Sequence, residues 1–323
     1  MYRMGPGMRN DTDAGDLPRG AWIEWKVPLI RLGSRVRTLL PRRIAIVFAH
    51  VFGDVCWLLL RARRRTIASN LARTAADRSP AERRRLCRAT FRNFAVCVSD
   101  VLAFPAATRS DLLDLVSSPD LEPVVEAHRR GRGVILLSAH LSNPEMAGVV
   151  FCELGRSVRW VVERTAPGLF DLRNRYRAAI GLRVVPLGRA GRALRTALAD
   201  GDIVALVSDR VIGDRPGYEV DFAGGRRRLP SGPARLALAT GAPLFVVSIV
   251  LSGADSGRRY RCSVSDEIPT ADLGDDPRAA LTARIGARLG ELVRQHPDQW
   301  FVFQPGWTDA PAGCPRPGAG DPA

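Results

Sequence analysis

The sequence has almost no lysine. Lys26 is the only one, and every other member of its 48 basic residues is an arginine. A P-loop that cradles nucleotide phosphates needs a Gly-Lys-Ser or Gly-Lys-Thr tripeptide, so this class of nucleotide-binding site is excluded.

Cysteine and histidine are sparse and scattered. The six cysteines form no Cys-x-x-Cys pair, and no two of the four histidines lie four residues apart. These spacings exclude a disulfide scaffold and a helix-borne zinc site, so we expect no metal and a reducing, cytoplasmic environment. The sequence also lacks a G-x-S-x-G elbow and a G-x-G-x-x-G turn after a strand, which disfavours serine hydrolases and dinucleotide enzymes.

Positive charge is what the chain has in excess. Its formal net charge is +15, in 323 residues that are 46% hydrophobic and 25% charged. This composition is typical of a globular protein with about two domains or one large one. Such a basic surface attracts an anionic partner: nucleic acid, an anionic membrane leaflet, a phosphorylated substrate or an acidic carrier protein.

A nearly continuous apolar run lies between two groups of arginines. Residues 44–60 read IAIVFAHVFGDVCWLLL and are interrupted only by His50 and Asp54. At 1.5 Å per residue this is about 25 Å, the short limit for crossing a bilayer, and an aspartate at mid-helix is costly in lipid. Three interpretations stay open: a buried core helix, a full span, and a helix lying in the cytoplasmic membrane interface. We favour the last, because arginines at both ends suit anionic head groups.

The pattern changes after residue 131. Short apolar runs at 134–138, 158–162, 184–187, 203–207 and 244–251 alternate with amphipathic stretches of helical period. This alternation predicts an α/β fold, a mostly parallel sheet with helices on both faces. We divide the chain into a disordered start (1–20), a helical membrane-associating region (21–110), an α/β domain (111–307) and a disordered tail (308–323).

Polar residues that directly follow a strand are the candidates for chemistry, since ligands bind at the carboxyl ends of parallel strands. His140 follows the first run, and Asn143 and Glu145 occupy the N-cap and first-turn positions of the next helix. A carboxylate that binds one imidazole nitrogen leaves the other free to take a proton from a hydroxyl. The spacing also fits a Glu145 that only complements the helix dipole.

Two further groups belong to the same predicted edge. Asp209 and Arg210 end the fourth run, where Asp209 is placed to orient His140 or to bind a polar head group; a surface ion pair is the alternative. Arg228 ends a cluster of three arginines, and it precedes a helix with Ser231 or Gly232 as its cap. Arginine beside free helix amides suits phosphate, and a solvated loop is the alternative.

Several colinear blocks resemble the bacterial lipid A late acyltransferases and the related phosphatidylinositol mannoside acyltransferases. The block GVILLSAHLSNPEMAG is similar to their G-V-[apolar]-H-x-G-N-W-[D/E]-x-A-G block, which contains the H-x4-[D/E] motif of the wider lysophospholipid and glycerol-phosphate acyltransferase superfamily. LVSDR, EVDFAGGRRRLPSGPARLALATGAPL and HPDQWFVFQPGW resemble later blocks, so the resemblance covers about 40–307. The chain departs from it at Pro144, where a tryptophan is usual, and at Leu141-Ser142, Val211, Ala223 and Leu229. These changes ring the acceptor side of the site, which leaves the acceptor open.

The resemblance implies transfer of a fatty acyl group from acyl-CoA or acyl carrier protein to a hydroxyl of a lipid or glycolipid, with no bound cofactor or metal. It implies that His140 is the general base and that Glu145 orients it. The remaining predicted substrate-binding residues are Asn143, Asp209, Arg210, Arg228, Ser231 and Gly232.

A lipid acceptor and a cytosolic thioester imply work at the cytoplasmic face of the inner or plasma membrane, on an anionic surface and without nucleic acid. Two alternatives remain. One is a thioesterase that passes the acyl group to water. The other is a non-catalytic nucleic-acid-binding protein, which has only the net charge in its favour, because no helix-turn-helix or aromatic-basic strand motif is present.

Overall fold

The computed structural model describes residues 26–117, 121–155, 157–163, 167–252 and 260–309. The predicted disordered start and residues 310–323 of the predicted tail lie outside these ranges. The first two residues of that tail, Thr308 and Asp309, are described. They pair with Arg226 through the Thr308 N–H (2.9 Å to the Arg226 carbonyl) and the Asp309 carboxylate (3.0 Å from the Arg226 N–H).

The N-terminal part is a layer of helices. They are α1 (Lys26–Leu39), α2 (Arg42–Leu59), α3 (Arg61–Thr74), α4 (Pro80–Ala103) and α5 (Arg109–Leu113). The longest, α4, begins at a capping box in which the Ser79 hydroxyl accepts from the Glu82 N–H and the Glu82 carboxylate accepts from the Ser79 N–H. Each bond satisfies a helix-start amide that has no partner within the helix, so the start of α4 is strongly defined.

Helix α2 packs against α4 through its smallest residues. Ala45, Ala49 and Gly53 recur every four positions and are the buried residues of α2. A Cβ at Gly53 would lie 2.7 Å from the Cα of Arg92, so the two backbones approach as closely as a glycine allows. Asp54 lies on the α4 side too, where Arg88 and Arg92 bind its carboxylate. The aspartate that would be costly in lipid is therefore compensated within the protein.

In the described part of the chain, no single helix is long and apolar enough to cross a bilayer. Helices α2 and α3 reach that length and composition only as a pair, and they are bent by 95° at their junction.

The α/β part contains the sheet. Its strands are β1 (Val116–Ser117), β2 (Val134–Ser138), β3 (Val158–Val162), β4 (Arg183–Pro186), β5 (Ile203–Val207), β6 (Gly217–Phe222), β7 (Gly225–Pro230), β8 (Leu244–Leu251) and β9 (Tyr260–Val264). Its helices are α6 (Glu122–Arg129), α7 (Pro144–Cys152), α8 (Pro167–Ala179), α9 (Ala190–Ala199), α10 (Gly232–Thr240) and α11 (Pro277–Gln295).

Seven strands form one sheet in the order β1-β9-β8-β2-β5-β3-β4, and β6 and β7 form a separate hairpin. Every neighbouring pair in the large sheet is parallel except β8 and β9. Both faces are covered: Leu136 packs into the core under α4, α7 and α8, whereas Ile135 and Leu137 pack into the core under α9, α10 and α11. The predicted α/β class with a mostly parallel sheet is confirmed, and its all-apolar strands follow from burial on both faces.

The segment after α11 returns to the carboxyl end of β2. Leu141 forms a bridge with Trp300, and the N–H of Phe301 donates to the carbonyl of His140 (2.8 Å). The N–H of Ser142 in turn donates to the carbonyl of Gln299 (2.8 Å). Residues 299–301 thus fix the loop that carries His140.

Candidate active site

Two neighbouring strands bring His140 and Asp209 together. Strands β2 and β5 are paired in register, with Ser138 opposite Val207, and each candidate lies two residues beyond its strand. The Nδ1 atom of His140 lies 2.6 Å from Oδ1 of Asp209, and the His140 backbone N–H donates to Oδ2 (3.0 Å). The register of the parallel sheet therefore builds a histidine–carboxylate pair at the ligand-binding edge.

Asp209 is completely buried and fully hydrogen-bonded. The indole N–H of Trp300 donates to Oδ2 (2.7 Å), and Nε of Arg227 donates to the Asp209 backbone carbonyl (2.8 Å). Burial on its own would raise the pKa of Asp209, but the adjacent His140 and Arg227 outweigh it and hold the pKa well below its usual range. An ionised carboxylate only accepts hydrogen bonds, so Nδ1 carries the ring proton and Nε2 is the basic nitrogen.

Arg227 and Trp300 support this pair, and sequence reasoning missed both. The Arg227 guanidinium lies over the rings of Trp300 (5.1 Å) and Trp307 (5.5 Å), and it is buried. Along β7, Arg226 and Arg228 are exposed, while Arg227 and Leu229 alternate with them on the buried face. This alternation follows from the strand, but three consecutive arginines look alike in the sequence, so only the fold shows which one is buried.

Glu145 does not occupy the position that the sequence interpretation gave it. Its carboxylate binds Arg177 of α8 (2.8 Å), and the carboxylate at Nδ1 of His140 comes from Asp209 instead. Burial favours a raised pKa for Glu145, but Arg177 and Arg173 outweigh it and lower the pKa. Glu145 therefore connects the start of α7 to α8 as one member of an ion pair, and the orienting role passes to Asp209.

A cavity of about 690 Å³ opens beside His140. The N-terminal layer and α8 contribute part of its apolar lining: Ile30, Phe94, Val98, Val101, Leu169 and Phe170. Six arginines from α8, α9, α10 and the segment after β5 also line it: Arg173, Arg177, Arg195, Arg210, Arg215 and Arg235. A long apolar group and an anionic group both find complementary surface in this cavity.

Four of the six predicted substrate-binding residues line the cavity: Asn143, Arg210, Ser231 and Gly232. Asp209 does not line it and lies behind His140. Neither Asn143 nor Ser231 makes a side-chain cap bond to its helix, although each stands at the N-cap position.

The structure corrects the prediction that Arg228 is one of the substrate-binding residues. It lies on the exposed face of β7, with Nε 3.4 Å from the carbonyl of Gly217, and it is not among the described residues that line the cavity. The alternation of β7 turns its side chain away from the face shared by Arg227 and Leu229.

The part of the chain that the structure describes contains no group of three or more histidine, cysteine, aspartate or glutamate side chains placed to hold a metal ion. Each carboxylate of this site is paired with a basic side chain: Asp209 with His140, Glu145 with Arg177, and Glu163 with Arg210.

His140, held by Asp209 at the edge of the α/β sheet, lies beside a cavity with apolar and basic linings. Residues 20–309 match the family described as bacterial lipid A biosynthesis acyltransferase. The chain therefore belongs to that family, as its sequence blocks predicted, and it is an acyltransferase of lipid or glycolipid biosynthesis.

Curated relatives agree with this assignment. The chain is 30% identical over 227 residues to a phosphatidylinositol mannoside acyltransferase of Mycolicibacterium smegmatis, which covers 69% of this chain and 72% of that protein. It is 31% identical over 182 residues to the protein of the same name from Mycobacterium tuberculosis H37Rv, which covers 55% of each chain. The match thus spans about half the length of the M. tuberculosis protein.

Proposed function

We propose that this protein transfers a fatty acyl group from a thioester, acyl-CoA or acyl carrier protein, to a hydroxyl of a glycolipid at the cytoplasmic face of a membrane. His140 is the general base. The observation that carries the proposal is the His140–Asp209 pair at the edge of a cavity with both an apolar and a basic lining. Family membership supports the reaction class.

The chemistry follows from the protonation of the pair. Nε2 of His140 takes the proton of the acceptor hydroxyl as its oxygen attacks the thioester carbonyl, and Asp209 stabilises the imidazolium that forms. The tetrahedral intermediate collapses by breaking the carbon–sulfur bond, and the imidazolium returns the proton to the departing thiolate. A thioester is already activated, so no covalent acyl-enzyme is required.

The relatives favour a mannosylated phosphatidylinositol as the acceptor. Both proteins described above carry the name phosphatidylinositol mannoside acyltransferase. Such a molecule is an anionic glycolipid, which agrees with the arginines of the cavity. A lipid A-type acceptor is the second candidate, because the family description names it.

The N-terminal layer supports membrane association. Apolar side chains of α1 and α2 that are about half exposed or more recur at helical spacing: Leu29, Leu32, Val36, Leu39, Val47, Phe48, Val51, Phe52, Leu58 and Leu59. On α2 these residues face away from Ala45, Ala49 and Gly53, which pack on α4. An exposed apolar face of this size on a helix pair is typical of a helix lying in the bilayer interface. Phe94 and Val98 of α4, which line the cavity, are exposed apolar residues as well.

The test is an acyl-transfer assay with purified protein. Labelled acyl-CoA or acyl carrier protein is offered with vesicles that contain phosphatidylinositol mannoside, a lipid A precursor, or neither. We expect a product heavier by one acyl chain with the first acceptor, and loss of that product in the His140→Ala variant. Equal release of free fatty acid without any acceptor would make the protein a thioesterase and refute the proposal. In a strain that lacks the gene, a glycolipid lighter by one acyl chain would name the natural acceptor.

A further inference from the structure

Residues 300–307, which we call the strap, hold both members of the His140–Asp209 pair. The indole N–H of Trp300 donates to Oδ2 of Asp209 (2.7 Å), and the N–H of Phe301 donates to the carbonyl of His140 (2.8 Å). The strap is described throughout, and it contains no helix or strand, only single bridges at its two ends. Because no regular backbone pairing defines its path, contacts with other elements must determine where it lies.

Asn70 of α3 binds the strap at two places. Its Nδ2 donates to the carbonyl of Val302 (2.9 Å), the residue that directly follows Phe301, and its Oδ1 accepts from the indole N–H of Trp307 (2.8 Å). The residue is only 3% exposed. A buried amide that loses its partners is costly, so these two bonds fix the strap relative to the N-terminal layer.

The bond to Trp307 also leads to the buried carboxylate. The ring of Trp307 lies 5.9 Å from the ring of Trp300 and 5.5 Å from the guanidinium of Arg227, whose Nε donates to the Asp209 carbonyl (2.8 Å). Asn70 itself is not among the described residues that line the cavity. Any effect of Asn70 on the reaction therefore passes through the strap.

Other contacts between the N-terminal layer and the strap come from exposed side chains. Arg63 donates to the carbonyl of Phe303 (2.8 Å), and Phe94 packs edge-on against the rings of Phe301 (5.3 Å) and Phe303 (5.1 Å). Asn70 differs from them because it is buried and both sides of its amide are bonded to the strap. Its replacement removes two directional contacts at once.

We propose that Asn70 is a positioning residue for acyl transfer: it holds the strap where Trp300 and Phe301 orient Asp209 and His140. The inference rests on the proposed function, since it gives Asn70 a part in the reaction of that pair. A displacement of about 1 Å at a catalytic group can lower a rate by about 100-fold, so a remote contact that fixes such a group affects the rate without touching substrate.

The first experiment measures kcat and KM of the full-length protein with acyl-CoA and vesicles that contain phosphatidylinositol mannoside. Asn70→Ala should lower kcat at least about tenfold and leave KM for both substrates within about twofold, because the cavity lining is intact. Asn70→Leu keeps the volume of the side chain and removes both bonds, so it gives the same test if the alanine variant does not fold. A folded variant of either kind with kcat within about threefold of the wild type would refute the inference.

Thr74→Ala is the matched control. Thr74 lies one turn after Asn70 on α3, is 4% exposed, and its hydroxyl forms no hydrogen bond with a described residue. The substitution therefore trims a buried side chain of the same helix without removing a bond to the strap, and kcat should match the wild type. A fall in kcat equal to that of Asn70→Ala would assign the effect to a general loosening of α3 and overturn the inference.

A double-mutant cycle tests the route through the strap. Trp300→Phe removes the indole N–H that binds Asp209 and keeps an aromatic ring in its place. If Asn70 acts by holding Trp300, adding Asn70→Ala to this variant should lower kcat by clearly less than it does in the wild type. Independent effects, in which the two losses multiply, would refute this route.

Hydrogen–deuterium exchange gives a readout that needs no acyl transfer. The His140 N–H is bonded to Asp209 and the Ser142 N–H to Gln299, so peptides that cover residues 139–143 report the loop that the strap holds. These peptides should exchange at least about tenfold faster in Asn70→Ala, while peptides of α11 exchange as in the wild type and exclude global unfolding. Unchanged exchange in the loop would refute the inference. A wild type that transfers no acyl group would instead refute the proposed function.

Discussion

Asp209 holds His140 by two contacts at once: Oδ1 lies 2.6 Å from the imidazole Nδ1, and Oδ2 accepts the His140 backbone N–H at 3.0 Å. The two residues are 69 positions apart in the sequence. The carboxylate thereby determines both where the histidine backbone lies and which ring nitrogen carries the proton. The pairing depends on β2 and β5 being neighbours, and no local sequence pattern states that.

The Asp209→Asn variant should be nearly inactive. The backbone N–H of His140 and the indole N–H of Trp300 both donate to Oδ2, so the asparagine oxygen takes that place and its NH2 group faces Nδ1. This arrangement favours the tautomer with the proton on Nε2, which removes the base. We expect kcat to fall about 10²–10⁴-fold, the usual worth of general-base catalysis, with an unchanged circular dichroism spectrum. A kcat within threefold of the wild type would contradict this assignment.

Glu145→Gln should affect stability more than chemistry. The Glu145 and Arg177 side chains are only 16% and 10% exposed, and breaking a buried ion pair leaves the remaining charge uncompensated. We expect a loss of about 3 kcal/mol in the free energy of unfolding, measured with urea, and a similar loss for Arg177→Gln. The double variant should lose clearly less than the sum of the two, because neither charge is then left alone. Additive losses would show that the two side chains do not interact.

The pH dependence of stability follows from the same carboxylates. The folded protein lowers the pKa of both Asp209 and Glu145, so each binds its proton more weakly folded than unfolded. Their stabilising contribution is fully present above the unfolded pKa values of about 4, and it is lost as pH falls through the folded pKa. The free energy of unfolding should therefore decline below about pH 5. Glu145→Gln should flatten that decline; an identical pH slope in the variant would exclude Glu145 as a contributor.

The order of elements was predictable from sequence, and both Glu145 and Asp209 were candidates to orient His140, but the sequence did not decide between them. Four predicted apolar runs have the same boundaries as the strands β2, β3, β5 and β8, because strands buried on both faces must be apolar throughout. The sequence interpretation preferred Glu145 because it lies on the same turn as His140. Its real partner, Arg177, lies 32 residues further on, and a single sequence does not state which strands or helices are neighbours.

The buried arginine of the site was the second feature that could not be predicted from the sequence. A run of three arginines indicates a solvated or phosphate-binding loop, and we placed Arg228 in the site on that basis. In the fold, Arg227 is the buried member, covered by Trp300 and Trp307. Two tryptophans that lie 73 and 80 residues beyond the arginine create its environment, so only the tertiary structure identifies it.

Gly53→Ala should destabilise the N-terminal layer. The added Cβ would lie 2.7 Å from the Cα of Arg92, which is backbone and cannot rotate away. Overpacking of this kind costs about 1–3 kcal/mol, more than the intrinsic gain of alanine over glycine in a helix. Gly33→Ala in α1 is the control, since its Cβ would meet only Leu102 Cδ1 at 3.6 Å. Thermal unfolding should show a lower midpoint for the first and an equal or higher one for the second; equal loss in both would contradict the close packing of α2 on α4.

Membrane binding should depend on the exposed face of α2. Val47, Phe48, Val51 and Phe52 are each about 60% exposed and lie on adjacent turns. Burying one such side chain in an apolar phase contributes about 1.5–3 kcal/mol, so replacing all four by serine should lower vesicle partitioning at least about 100-fold. Leu238→Gln on α10 serves as the control, because it removes an exposed leucine outside this face. Flotation with anionic and neutral liposomes measures both; equal flotation of wild type and the four-serine variant would show that α2 does not lie in the membrane.

The arginines after α2 should contribute a smaller, salt-dependent part of this binding. Arg63 donates to the carbonyl of Phe303 (2.8 Å) and Arg64 to that of Trp57 (2.6 Å), so both are engaged within the protein. Arg61 and Arg65 are exposed and form no ion pair with a described residue. Each basic residue near an anionic leaflet contributes about 1 kcal/mol, so R61Q/R65Q should weaken binding to anionic liposomes by about 2 kcal/mol at low salt and less at high salt. On neutral liposomes the variant should match the wild type, and high salt alone should release only part of the wild-type protein, because the apolar face of α2 remains. A variant that binds neutral and anionic liposomes with equal loss would assign these arginines to folding rather than to the membrane.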